Sequence, residues 1–363
     1  MAKTRAPLIL LVLALALLPA SASASLGADP DSPNPLEGAS LYVDHESPSM
    51  LEWQRLNNSG QTAKADLIWK IAREPKNLWL GRFTQPNFQF KVRRIIDAAR
   101  EAGQLPAFTV LRAQATSCGP DYDGGGPAED RRTRAWYDDL ARAIGDERVV
   151  VAFEPDSLGT IDCLGARYQD DRIQLLRYGV DALAKLPNAA IYLEAGASDW
   201  EPAKRTAKQL RQIGIAKVRG FMLNATHYDW TANNIRHGLE ISRLTGGKHF
   251  VINTAENGRG PVHHKQWVNR SKNIWRRITV WCNPGMRGLG PAPTTDTAHP
   301  KVDAYLWINR PGYAQICQGR PIDWYLPRAL TYARYATDWL KAPAGALFGH
   351  VERYPLKLFG IPG

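Results

Sequence analysis

The sequence predicts a single α/β domain whose mainly parallel sheet curls into a barrel, open or closed. Three observations predict it. Short apolar runs of strand length alternate with helical patterns, the mark of βαβ units. At least seven such runs can be counted along the chain. Roughly 330 residues follow an N-terminal leader with no second linker, repeat or low-complexity tract, which suits one large sheet better than two domains.

The elements follow in order. Lys3 and Arg5 precede an apolar core, and small residues come after it, so residues 1–24 read as a secretory signal cleaved near Ala22 or Ala24. The core is too short to span a bilayer comfortably. Residues 25–35, rich in Pro, Asp and Ser, read as a linker, with the folded domain starting near Asn34. Strands are expected at 40–43, 77–80, 106–111, 148–153, 189–194, 218–223, 249–253 and 304–308. Helices are expected at 50–57, 64–73, 87–102, 128–145, 167–186, 200–213 and 231–245. The central strand runs through Val149, Val150, Val151, Ala152 and Phe153 into Glu154, Pro155 and Asp156. An uninterrupted apolar run bounded by Pro and Gly is buried on both faces of a parallel sheet. Asp156 then sits at the C-terminal mouth, where ligands bind and catalytic side chains project. The plainer reading makes Glu154 and Asp156 a turn and cap before Ser157.

The chain carries 46 Lys and Arg against 35 Asp and Glu, a formal charge of +11. A basic surface favours anionic partners such as cell-wall polymers or nucleic acid. No clustered basic block or nucleic-acid motif is present, so nucleic acid is not expected as a partner. Four cysteines in an exported chain read as two disulfides, with three pairings possible. Their order suggests sequential pairing, Cys118 with Cys163 and Cys282 with Cys317, each bracketing a loop after a strand end. There is no CxxC, HExxH, GxSxG or strand-linked GxGxxG, so neither zinc, nor a dinucleotide, nor serine-hydrolase chemistry is expected. His263 and His264 lack further ligands at useful spacing and read as loop. Asn57, Asn224 and Asn269 each begin an Asn-x-Ser/Thr sequon.

Several stretches together resemble glycoside hydrolase family 6. They are Asn34-Pro35-Leu36 with Leu41-Tyr42-Val43-Asp44, Phe153-Glu154-Pro155-Asp156-Ser157-Leu158, Tyr192-Leu193-Glu194-Ala195-Gly196, Trp281-Cys282-Asn283-Pro284, and Pro293-Thr294-Thr295 through Ile308 to Pro311-Gly312. The resemblance spans residues 34–340, in family order, and takes in all four cysteines. It implies a distorted seven-stranded β/α barrel over 36–340, the sequential disulfides, and hydrolysis of β-1,4-glucan with inversion; residues 341–363 extend the domain. No cofactor, nucleic acid or stable membrane anchor is implied, and a monomer is expected.

Within that resemblance Asp156 matches the general acid. An inverting glycosidase needs a protonated carboxyl toward the leaving oxygen and a base on the opposite face, the carboxyls roughly 6.5 to 9.5 Å apart. Ser117 stands where the family has an aspartate before the first cysteine, and Gln315 where it has a candidate base. Asn309 and Tyr313 replace a substrate-binding Lys and Glu, Leu111 a tyrosine at the cleavage point, and Ala197 a histidine. Glu194 replaces an Asp. Trp79, Trp200 and Trp281 fall on positions that stack on pyranose faces, Asn224 on one that hydrogen-bonds a hydroxyl, and Asp123 on a serine of a flexible loop, here made pliable by Gly124, Gly125 and Gly126. Three readings follow: a glycosidase using Asp156 with Glu194, Asp121 or Asp123 supplying the missing charge or base; a pocket rebuilt for another cell-wall polysaccharide; and a secreted polysaccharide-binding protein without hydrolysis.

Overall fold

The structure is a computed structural model, which describes residues 25–81, 87–113, 126–269, 271, 274–280, 282–314 and 323–336. Seven strands form one sheet: β1 (Leu78–Gly81), β2 (Ala107–Leu111), β3 (Val149–Phe153), β4 (Ala189–Glu194), β5 (Gly220–Leu223), β6 (His249–Asn253) and β9 (Val302–Leu306). They pair in that order, every neighbour parallel. The sheet curls into the expected barrel but leaves a seam, since β1 and β9 share no ladder. Single contacts bridge it: Asn77 N–H to Trp307 O at 3.0 Å and Trp79 Nε1 to Ile308 O at 2.7 Å.

The two-residue period of each strand builds two cores. In β3, Val149, Val151 and Phe153 face the surrounding helices, while Val150 and Ala152 face the barrel interior with Ala190, Tyr192, Met222, Val251 and Ala304. Small side chains at several inner positions let the sheet curl tightly. The helices cover the outside: α3 (Phe88–Glu101), α4 (Gly126–Ile144), α5 (Ala166–Leu183), α6 (Ala203–Ile213) and α7 (Thr231–Leu244), with α1 (Pro48–Asn58), α2 (Thr62–Ala72) and α8 (Leu326–Arg334) beside the seam. In α3 the buried residues Phe88, Val92, Ile95, Ile96 and Ala99 recur at helical spacing along one stripe. Gly214, in the left-handed region at φ 100°, ends α6 where a side chain would be strained. No helix among the described residues is long and apolar enough to cross a membrane.

Three features differ from the sequence expectation. The strand expected at 40–43 reduces to one bridge, Leu41 to Leu105, because that stretch only skirts the barrel. His263 and His264 open a strand, β7 (His263–Asn269), paired antiparallel with β8 (Ile274–Thr279) in a hairpin outside the barrel. Residues 25–35 do not hang free as a linker. Ser25 N–H bonds Lys217 O at 2.9 Å, Leu26 N–H bonds Ala189 O at 3.2 Å, and Asn34 Nδ2 bonds Asp303 O at 2.9 Å. These contacts close the N-terminal end of the barrel, its floor. There Arg219, fully buried, donates to both Asp303 oxygens at 2.7 and 2.9 Å, Tyr192 Oη donates to Asp303 at 2.7 Å, and His249 Nδ1 lies 2.9 Å from the same carboxylate. Burial alone would raise the Asp303 carboxyl, but the Arg219 bonds outweigh it and hold the pKa below the ordinary value.

Candidate active site

At the opposite end, the mouth, two strands run out into residues with φ in the left-handed region: Glu154 at 57° and Asp156 at 67° after β3, and Asn224 at 66° after β5. Such conformations cost about 1–3 kcal/mol each and cluster where side chains must be aimed. The Glu-Pro-Asp turn sends its two acids different ways. Glu154 is buried and accepts hydrogen bonds from Arg112 N at 2.9 Å, Ala113 N at 3.0 Å and Tyr137 Oη at 2.7 Å, so it anchors the loop after β2. Burial raises its pKa against those donors.

Asp156 is only part-buried and holds a bond from Thr226 Oγ1, in the loop after β5. Burial pushes its pKa up to about 6, while the Thr226 bond and the nearby His227 charge pull it down. Glu194, at the end of β4, accepts Leu158 N at 2.9 Å and Gly196 N at 2.6 Å, tying the β3 and β4 loops together. Burial first, and then the charge of Asp156, pushes it up to about 8 against the backbone donors. Glu194 is therefore mostly a neutral acid at pH 7.

Beside them lies a pair that the sequence reading did not single out. His227 Nδ1 sits 2.9 Å from Asp199 Oδ1, and Thr279 donates to Asp199 Oδ2 at 2.9 Å. Burial would raise Asp199, but the His227 charge outweighs it and holds the carboxyl below its ordinary value. Burial would likewise lower His227, and the Asp199 charge outweighs that and raises it. Asp199 thus favours the charged imidazolium form of His227, next to Asp156. The signal available was His227 itself, standing with Thr226 in the loop directly after a buried strand; its partner lies 28 residues away and meets it only in the fold.

The expected sugar contacts divide. Trp79, Leu111 and Tyr313 line a cavity of about 650 Å³ that runs along the seam beside β1. Trp200 does not offer an open face: it is 5% exposed, His227 stacks on it at 4.7 Å, and a side chain at Gly159 would come within 2.5 Å of its ring. Trp200 also precedes α6 rather than opening it. Asn224 is fully buried and spends its amide on Asp229 O and Asn253 O, at 3.2 and 3.0 Å, and its carbonyl on Asp229 N. It staples loops instead of meeting sugar. Asn309 is similarly occupied, donating to Glu256 at 2.7 Å and accepting from Arg310 N at 2.9 Å. Ala197 packs against Trp200. Ser117, Cys118, Asp121, Asp123, Trp281, Gln315 and Cys317 lie outside the described residues. Cys163 and Cys282 are not free thiols, while their pairing stays an expectation. Among the described residues no three metal-ligating side chains converge.

A parallel barrel with carboxylic acids gathered at its mouth, one of them with its pKa pushed up to about 6, has the arrangement of the glycoside hydrolases, in which one carboxyl group protonates the leaving oxygen and a second acts as base or nucleophile. The chain belongs to glycoside hydrolase family 6: the model of "Glycosyl hydrolases family 6" matches residues 36–319. Endoglucanase A from Cellulomonas fimi is 33% identical over 309 residues, covering 84% of this chain and 62% of that protein. Endoglucanase A from Thermobispora bispora is 29% identical, covering 84% and 64%. The chain thus spans under two thirds of the length of these relatives. An endoglucanase from Mycobacterium tuberculosis, solved in complex with methyl-cellobiosyl-4-deoxy-4-thio-β-D-cellobioside, superposes with a TM-score of 0.72 at 34% identity, covering 84% of this chain and 99% of that one.

Proposed function

We propose that this protein is an exported, inverting hydrolase of β-1,4-glucan with Asp156 as the general acid. One observation supports the role most directly. Asp156 stands part-buried at the mouth with its pKa pushed up to about 6, so it keeps its proton in mildly acidic medium and can deliver it to a leaving oxygen. Thr226 fixes one carboxyl oxygen, and no described residue hydrogen-bonds the other. The endoglucanase relatives, one of them solved with a thio-linked cello-oligosaccharide, support the polymer.

The base is not assigned among the described residues. Glu194 is tied to backbone N–H groups and mostly neutral at pH 7, and Asp199 is committed to His227. Asp121 and Asp123 remain the alternatives. Ser117 and Gln315, standing where the family has aspartates, support a second reading: a secreted polysaccharide-binding protein that does not hydrolyse its ligand.

The experiment is product release from carboxymethyl-cellulose, mixed-linkage glucan and cell-wall arabinogalactan, with the wild-type chain and Asp156→Asn compared. Turnover that disappears in the variant is the expected result, and the polymer cleaved names the substrate. Turnover retained by the variant removes Asp156 from the mechanism. Binding without turnover by either form favours the second reading.

A further inference from the structure

The seam cavity holds a cation, Arg310, that forms no ion pair within 4.0 Å among the described residues. Arg310, four residues beyond Leu306 where β9 ends, lies between two rings, its guanidinium carbon 5.0 Å from the Trp79 centroid and 4.3 Å from that of Tyr313. Trp324 meets Tyr313 edge-on at 6.0 Å and backs the stack. Its guanidinium makes no hydrogen bond to a described residue, and its Nε is buried without an acceptor. Glu256, a buried acid whose charge Arg310 feels, gives one oxygen to Asn309 and faces Arg328 at 3.9 Å with the other.

Of the three other basic residues lining the cavity, Lys76, Lys91 and Arg94, two are already committed. Lys76 donates to the carbonyls of Glu74 at 2.6 Å, Ile71 at 2.7 Å and Ala72 at 3.4 Å, and Arg94 pairs with Glu46. Arg310 is different: the rings hold its plane and pre-orient its N–H fork without consuming it. A neutral sugar hydroxyl accepts from such a fork singly. A carboxylate matches it with two parallel bonds and supplies the missing charge.

We propose that this cavity recognises an acidic sugar, a glycan unit bearing a carboxylate that Arg310 grips in bidentate fashion. The inference rests on the reading of the chain as a glycan-binding protein and specifies the class of glycan. Two features agree with it. The Trp79 face expected to stack on a pyranose is covered by Arg310, and the chain carries a net charge of +11.

The test is calorimetric titration with a cello-oligosaccharide and with the same oligosaccharide oxidised at C6 to carry glucuronate. The acidic ligand should bind about tenfold tighter or more, the size of a charge-assisted pair of hydrogen bonds. That advantage should shrink as salt rises, disappear in Arg310→Gln and survive in part in Arg310→Lys. Equal affinity for the two ligands overturns the acidic-sugar proposal alone. So does an advantage left intact in Arg310→Gln, with unchanged thermal unfolding of each variant as the check on folding. Failure of both ligands to bind overturns the proposal together with the glycan reading beneath it.

Discussion

The floor and the mouth of the barrel both bury charge, and they handle it in opposite ways. At the floor, Arg219, Asp303, His249 and Tyr192 satisfy one another, and Asp303 is held below its ordinary pKa by its partners. At the mouth, Asp156 and Glu194 lie close enough to interact, no described cation is bonded to either carboxylate, and burial drives both up, to about 6 and about 8. The mouth also carries three residues in the left-handed region, Glu154, Asp156 and Asn224. One end is arranged for stability and the other gives stability up to keep acids titratable, as expected where chemistry is done.

The contrast can be broken by substitution. The largest effect expected is on turnover: Asp156→Asn should lower kcat by roughly 10²- to 10⁴-fold, the usual worth of a general acid. The same variant should be the more stable protein above pH 6. A folded pKa of about 6 against an ordinary 3.8 means that the native state loses stability as pH rises from 3.8 through 6, and removing the charge recovers up to about 3 kcal/mol. Calorimetry at pH 7 would show the melting temperature rising while activity collapses; a fall would deny that the mouth is held at a cost. Next comes the floor. Asp303→Ala strands a buried Arg219 and should cost about 3–5 kcal/mol in denaturant unfolding, with kcat/KM unchanged in the surviving native protein. An equal loss of kcat/KM would mean that the two ends are coupled. Smaller still, His227→Gln removes a cation beside Asp156, so the descending limb of the pH–activity profile should move to higher pH. A limb that stays put or moves down would exclude His227 as a neighbour that sets the acid's pKa.

How much of this was legible in the sequence follows from the same division. β3 and β4 were plain because strands buried on both faces read as unbroken apolar runs, and Asp156 was visible as the acid that ends one. The β7–β8 hairpin was missed because His-His-Lys-Gln-Trp-Val-Asn carries no clean alternation and sits outside the barrel. α8 was missed too, a short helix lying beyond the Pro-Gly segment. The docking of residues 25–35 was hidden because their bonds are mostly made by backbone atoms, and a Pro- and Ser-rich segment reads alike whether it hangs free or lies against a surface. His227 and Arg310 are single residues in loops. Their meaning comes from Asp199, Trp79 and Tyr313, which only the curled sheet brings to them.

The clasp of residues 25–34 on the floor also fixes a direction. Residue 25 lies on the face opposite the mouth, so a tether joined at that point would leave the acids facing away from it. An affinity tag, a surface attachment or a fused partner placed there would leave the mouth open, and the same attachment at the mouth would obstruct it.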